Sequence, residues 1–199
     1  IAAQQMAISQ FTQELRLNGE IGDAFNFTVG GFYFEGDVVT VGRIRSFQTF
    51  DQNQADSVKN MSQALFAHGE LKIVPALSMI GGLRYTEDEK TFNFNRANAL
   101  PVDYGFAYLA DTLDGQGGTT KGDRIDWRVG LNYQINPDVM IYGQVATGYK
   151  GGGINPRPFY AEQILPFMPE TMVSYEVGFK SQFADNRVRL NGAAFYSEY

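Results

Sequence analysis

Apolar and polar residues alternate along most of this chain. In residues 125–135 every second position is apolar or aromatic, namely Ile125, Trp127, Val129, Leu131, Tyr133 and Ile135. The positions between them are polar or small, namely Asp126, Arg128, Gly130, Asn132 and Gln134. A strict period of two predicts a β-strand with one apolar face and one polar face. Residues 173–183 repeat the pattern, and residues 139–149 follow it less strictly.

Weaker alternation predicts five further strands, in residues 11–18, 25–35, 62–73, 77–95 and 188–199. The predicted fold class is therefore all-β and antiparallel, with about eight strands. Most of these segments have about 10 to 12 residues, whereas strands of soluble proteins average about five or six. At about 3.3 Å per residue and a tilt near 40°, eleven residues rise roughly 28 Å. This length favours a transmembrane β-barrel.

Short and long connections alternate between the predicted strands. The short ones are residues 19–24, 74–76, 136–138 and 184–187, and the long ones are residues 36–61, 96–123 and 151–170. All seven prolines lie in these connections, as expected because proline cannot donate a hydrogen bond to a sheet ladder. Tight turns at one rim and long loops at the other are typical of an outer-membrane barrel.

Composition narrows the class of protein further. The longest apolar run covers residues 106–110, far short of the roughly 20 residues that a membrane helix needs. The chain contains no cysteine, which excludes disulfides and thiolate metal sites. A net charge of −6 disfavours nucleic acid as a partner, because phosphate binding requires a basic surface.

Catalytic residue patterns are not evident. A hydrolytic triad needs a histidine beside a serine and an aspartate. The chain has a single histidine, His68, and no serine and aspartate spacing of that kind is evident, which argues against a triad. The sequence therefore predicts a protein that is not an enzyme and that has neither a cofactor nor a metal site.

The polar positions of two strands supply candidate functional residues. Arg128, Asn132, Glu176 and Lys180 fall on the polar side of the alternation, which in a barrel faces the lumen. One hypothesis is a track for a ligand, or a ladder of contacts to a domain inside the barrel. The other is a polar wall whose charges neutralise one another, as any large barrel requires.

The third long connection supplies the candidates for ligand contact. Arg157, Phe159 and Tyr160 combine a cation with two aromatic rings in a proline-rich loop. Such a combination can bind an anionic chelate through charge and ring contacts. The alternative is that the aromatic rings pack on each other.

Several segments resemble a known family. They are residues 13–17 (QELRL), 81–86 (GGLRYT), 147–158 (TGYKGGGINPRP), 167–171 (FMPET), 174–181 (SYEVGFKS) and 187–196 (RVRLNGAAFY). In this order they are similar to the middle and late barrel strands of TonB-dependent outer-membrane receptors. The long loops do not take part in this similarity.

The resemblance implies a location and a function. Receptors of this family lie in the outer membrane of Gram-negative bacteria, in contact with its lipid, and form plugged barrels of about 22 strands. They import scarce ligands, most often ferric siderophores, with energy from the TonB complex. The resemblance implies that residues 1–199 form a partial barrel domain without the plug. Contact with TonB would then depend on a missing N-terminal part.

Two alternatives stay open at the level of sequence. One is a small closed barrel of eight strands with a structural or adhesive role. Its interior would have to be filled by its own side chains, for which Gly130, Asn132, Ser174 and Gly178 look too small. The other is a soluble carbohydrate-binding sandwich, which would need polar residues in place of Trp127 and its apolar neighbours. A partial barrel predicts an open sheet, whereas pairing of residues 11–18 with 188–199 would favour the small barrel.

Overall fold

The computed structural model describes residues 2–46, 50–99 and 107–199. The strands, numbered in chain order, are β1 (Ala2–Ile21), β2 (Phe25–Ser46), β3 (Phe50–Val74), β4 (Leu77–Phe94), β5 (Arg96–Asn98), β6 (Gln116–Asn136), β7 (Val139–Lys150), β8 (Gly153–Ile154), β9 (Pro166–Phe167), β10 (Glu170–Phe183) and β11 (Val188–Glu198). Two short 3₁₀ helices cover Ala107–Leu113 and Ala161–Gln163. In these ranges, no helix is both long and apolar enough to span a membrane.

One antiparallel sheet contains all the long strands. Its order is β1-β2-β3-β4-β6-β7-β10-β11, with β5 paired to β3 at one end, while β8 and β9 form a separate short pair. The eight predicted strands are therefore confirmed, each one paired with the next along the chain. Among the described residues β1 and β11 are not paired with each other, so the sheet is open. The open sheet is the arrangement that a partial barrel predicts, and the small closed barrel is not formed.

The ladder places side chains of the same face in rows across the sheet. One complete row consists of Ile21, Phe25, Leu71, Met79, Leu131, Gly143, Val177 and Ala194. The neighbouring row, on the other side of the sheet, consists of Glu20, Asn26, Glu70, Ile80, Gly130, Gln144, Glu176 and Phe195. We call the side of the first row the apolar face and the side of the second row the polar face. A slip of one residue would exchange the two faces, so the alternation fixes the register.

Large side chains of the apolar face remain open to the surroundings. Trp127 is 40% exposed, Leu131 49% and Val177 62%. A continuous exposed apolar surface of this extent is unusual in a soluble protein. It is the surface that a barrel wall presents to lipid.

The first two predicted long loops are wrong in large part. β2 and β3 pair without interruption from Phe25 opposite Leu71 to Ser46 opposite Phe50, so most of residues 36–61 is a strand hairpin. Likewise, β6 begins at Gln116 and pairs with β4 from its first residue. The long strands have 11 to 25 residues, more than the alternation predicted. Most of the additional strand residues lie within the predicted loops 36–61 and 96–123. A strand outside lipid does not need an apolar face, so these residues show no alternation with a period of two.

The other connections agree with the prediction. The turns at residues 22–24, 75–76, 137–138 and 184–187 are short. Residues 151–169, which we call the loop segment, form the third long connection and contain only β8, β9 and the second 3₁₀ helix. Short turns and long connections therefore lie at opposite ends of the sheet, and we call the latter the loop end.

Candidate functional site

Tyr142 connects two of the predicted polar-face residues. Its hydroxyl donates a hydrogen bond to Glu176 Oε1 over 2.6 Å. The Lys180 ammonium lies 5.8 Å from the centre of the Tyr142 ring. A cation in this position is attracted to the negative ring face. Glu176 and Lys180 therefore interact through a tyrosine between them and not directly, a role for Tyr142 that the sequence did not suggest.

Arg128 and Asn132 lie on the same face as Glu176. In the ladder, Arg128 is opposite Gly82 and Ala146, and Asn132 is opposite Ser78 and Tyr142. Within the described part of the chain, neither Arg128 nor Lys180 forms an ion pair within 4 Å. No close ion pair therefore neutralises these two cations, and their charges act on the space in front of the polar face.

A second aromatic contact lies on the polar face nearer β2 and β3. The guanidinium carbon of Arg84 is 5.3 Å from the ring centre of Phe32 and 5.9 Å from that of Phe66. Arg84 Nε also donates to Thr86 Oγ1 over 3.1 Å. Nearby, His68 faces Gly82 in the ladder. No three His, Asp or Glu side chains in the described ranges are close enough to hold a metal ion.

A small apolar core lies at the loop end of the polar face. We call it the loop core, and it consists of Phe92, Phe94, Leu113 and Ile154. Val58 and Ile164 pack against it. Gly118 of β6 leaves space for Ile154, because a Cβ at this position would lie 2.6 Å from Ile154 Cδ1. The loop core thus holds two connections against the strands, the one between β4 and β6 through Leu113 and the loop segment through Ile154.

Arg96 is the buried charge beside the loop core. Its Nη2 and Nε atoms donate to Asp56 Oδ2 over 2.6 and 3.0 Å. Its Nη1 atom donates to the carbonyl oxygen of Pro158, and its Cζ atom lies 5.3 Å from the ring centre of Phe94. Arg96 therefore links β3, the end of β4 and the loop segment. The sequence prediction placed it at the start of a loop, whereas the structure places it in β5, paired with β3.

The predicted ligand-contact residues surround Pro158. Arg157 is exposed, and its backbone N–H donates to Asn155 Oδ1 over 3.1 Å. Phe159 is 60% exposed, and its backbone N–H donates to Gln163 Oε1 over 2.7 Å. The side chains of Arg157 and Phe159 are thus displayed on a hydrogen-bonded backbone.

Tyr160 has a more enclosed position than its two neighbours. Its side chain is half-buried, and its carbonyl oxygen accepts a 3.0 Å hydrogen bond from the backbone N–H of Gln163. All three candidates lie in the loop segment, whereas Arg128, Asn132, Glu176 and Lys180 lie on strands. The candidate residues therefore form two groups, one on the loop segment and one on the polar face.

Comparison with known proteins gives a consistent result. The sequence model of the family described as "TonB dependent receptor-like, beta-barrel" matches residues 4–199. The pesticin receptor of Yersinia pestis is 28% identical over 117 residues, which cover 59% of this chain and 16% of that receptor. The chain therefore corresponds to a minor part of the length of its relatives.

Two solved structures share the fold. The ferric yersiniabactin uptake receptor FyuA from Yersinia pestis matches with a TM-score of 0.82 at 20% identity, over 98% of this chain and 29% of FyuA. The copper transporter OprC matches with a TM-score of 0.72 at 11% identity, over 98% of this chain and 31% of OprC.

The family assignment thus rests on agreement between sequence and structure. The matched residues include seven of the eight long strands of the open sheet completely, and β1 from residue 4 onward. Proteins of this family are transport receptors of the Gram-negative outer membrane, which accounts for the exposed apolar face. The chain belongs to the TonB-dependent receptor-like β-barrel family.

Proposed function

We propose that this chain forms part of the wall of an outer-membrane receptor that imports ferric siderophores with energy from the TonB complex. The observation that carries the proposal is the family match over residues 4–199, on a sheet with one apolar and one polar face. The name of FyuA, a ferric yersiniabactin uptake receptor, supports an iron chelate as the cargo. Lipid covers the apolar face in this proposal, and the polar face lines the lumen.

The open sheet supports a larger barrel. In lipid, each unpaired backbone group at a sheet edge costs several kcal/mol. The outer edges of β1 and β11 have no partner among the described residues. In the proposed assembly, residues 1–199 are a continuous part of a barrel domain whose other strands pair with these two edges.

Two groups of residues carry the proposed transport. Arg157, Phe159 and Tyr160 make the first contact with the anionic chelate, because two of them are displayed at the loop end. Arg128, Asn132, Glu176 and Lys180 face the lumen, where the unneutralised cations Arg128 and Lys180 attract an anion that has entered.

The proposal is tested by uptake of ⁵⁵Fe into cells that produce the full-length protein and lack their own siderophore receptors. The probes are ferric yersiniabactin, a ferric catecholate and a ferric hydroxamate, each with and without a functional TonB complex. We expect TonB-dependent uptake of at least one ferric chelate. Uptake of ⁶⁴Cu²⁺ without uptake of any ferric chelate would refute iron import and favour the cargo of OprC.

Variants test the proposed contact residues. Arg157→Ala and Phe159→Ala should each reduce the affinity for the transported chelate by about tenfold, which corresponds to roughly 1.4 kcal/mol. Lys121→Gln is the matched control, because it also removes a cation but on the side chain that pairs with Glu89 over 2.9 Å. Equal affinities of Arg157→Ala, Phe159→Ala and the control would contradict a contact site in the loop segment.

A further inference from the structure

Arg96 has contacts on both sides of the boundary between the sheet and the loop segment. Arg96 is a buried residue that is only 6% exposed. A buried charge requires an opposite charge and hydrogen bonds for its donors. Asp56 provides the charge from β3, and the Pro158 carbonyl provides the acceptor from the loop segment.

We infer that Arg96 is the positioning residue of the ligand-contact loop, and that it holds Arg157 and Phe159 in place by binding the carbonyl between them. This inference rests on the proposed function, in which those two residues contact the ferric chelate. Arg96 itself does not touch the ligand.

The chemistry of Pro158 makes this contact effective. Proline has no backbone N–H, so its carbonyl is the only backbone group through which this residue can be held by a hydrogen bond. Pro158 is fully buried, and a buried carbonyl needs a donor. Arg96 Nη1 supplies it. A proline also has a fixed φ. A hydrogen bond to its carbonyl therefore restricts the backbone orientation of the residues on either side, Arg157 and Phe159.

The rest of the loop segment is braced internally, so it can respond to Arg96 as a unit. Asn155 Nδ2 donates to the Gln163 carbonyl over 3.1 Å, and Gln163 Oε1 accepts from the Phe159 backbone. Ala161 N–H also donates to Thr112 Oγ1 over 3.1 Å, which ties this unit to the first 3₁₀ helix. The loop core holds Ile154 at one end of this unit, and Arg96 holds its centre.

The guanidinium shape matters as well as its charge. Arg96 presents donors in a planar fork, of which one side binds Asp56 and the other binds Pro158. A lysine ammonium can retain the ion pair with Asp56, but it lacks the fork that spans both partners. Arg96→Lys should therefore keep the charge pair and release the loop segment.

A control exists on the hairpin of β2 and β3. Arg43 Nε and Nη2 donate to the buried Asp51 over 2.6 and 2.8 Å, and no described contact joins this pair to the loop segment. Arg43→Met therefore removes an arginine that pairs with a buried carboxylate, without removing a contact to Pro158, while the side chain of Arg43 itself is 48% exposed and Arg45 still pairs with Asp51. A purely structural effect of losing such a pair should appear in both Arg43→Met and Arg96→Met.

The experiment uses a spin label on the full-length protein in the outer membrane. Glu162→Cys places the label at the exposed position of the second 3₁₀ helix, in a chain segment that has no cysteine of its own. We expect Arg96→Met and Arg96→Lys to increase the mobility of the nitroxide and to weaken binding of ferric yersiniabactin by about tenfold. Arg43→Met should change neither quantity.

Each outcome has a distinct meaning. Unchanged label mobility in Arg96→Met, or an equal increase in Arg43→Met, would overturn the inference. Increased mobility with unchanged affinity would also overturn it, provided that Arg157→Ala weakens binding. If Arg157→Ala has no effect on binding either, the proposed contact site fails, and the positioning role of Arg96 fails with it.

Discussion

The Tyr142 hydroxyl donates its hydrogen bond to Glu176 across neighbouring strands of the polar face, with a donor–acceptor distance of 2.6 Å. Because the acceptor is a carboxylate, this bond is stronger than one between neutral groups. It fixes the position of a charged side chain on the surface that, in the proposed receptor, faces the lumen.

Removing the donor should therefore destabilise the wall. Tyr142→Phe leaves Glu176 without this hydrogen bond, and we expect the free energy of unfolding to fall by about 1–2 kcal/mol. Urea titration of the full-length protein in lipid bilayers measures this quantity. Tyr133→Phe is the control, since Tyr133 lies on the apolar face and its hydroxyl makes no hydrogen bond within the described ranges. Equal losses in the two variants would contradict a specific role for the bond.

Alternation could predict the strands because lipid favours apolar residues on one face of the sheet and water favours polar residues on the other. In β6 and β10 this difference gives a strict period of two, and the structure has both strands where the pattern predicted them. The extension of β2 beyond Gly36 could not be found in this way. Valine and threonine at residues 38–41 favour a strand, but with water on both sides no apolar stripe identifies it.

For the candidate site, the sequence could predict on which face of the sheet a residue lies, but not which residues it contacts. Parity alone places Arg128 and Glu176 on the polar face, but parity does not show that Tyr142 lies between Glu176 and Lys180. The contact of Arg96 with Pro158 joins residues that are 62 positions apart. No local pattern contains such information, because it depends on how two long connections fold over the same strands.

The close approach of Tyr142 to Gly178 gives a second prediction. A Cβ at Gly178 would lie 2.7 Å from both the Gly192 carbonyl oxygen and the Tyr142 ring. Backbone cannot move away easily, so Gly178→Ala should destabilise the protein by about 1–3 kcal/mol. Gly81→Ala, where nothing lies within 4 Å, should change stability little. The denaturation midpoints of the two variants in lipid decide the matter, and a tolerated Gly178→Ala would show that the strands separate there.

A third prediction compares adjacent residues on opposite faces of β6. Leu131→Arg places a cation in hydrocarbon and should cost about 2–4 kcal/mol of folding free energy, whereas Asn132→Arg should cost far less because the lumen is wet. Denaturant titration of the full-length protein in bilayers measures both costs. Equal costs would argue against lipid on the apolar face, since the two substitutions differ mainly in the face that receives the charge.

A fourth prediction concerns how the stability of the β2–β3 hairpin depends on pH at the loop end of the sheet. Hydrogen bonds from Arg43 lower the pKa of Asp51 to about 2, although its burial acts in the opposite direction, and Arg45 strengthens the decrease. Because the pKa is lower in the folded hairpin than in the unfolded chain, the carboxylate stabilises the hairpin above pH 4 or so. That contribution should be lost as the pH falls towards about 2.

The paired positions Val41 and Ala55 report on this loss. Nitroxides on Val41→Cys and Ala55→Cys should show strong dipolar coupling at pH 6, which weakens as Asp51 is protonated and its arginine contacts are lost. Asp51→Asn removes the titrating group, so its coupling should already be weaker at pH 6 and should not change between pH 5 and pH 2. The same pH dependence in both proteins would assign the change to another group, because an asparagine at this position has no proton to gain in that range.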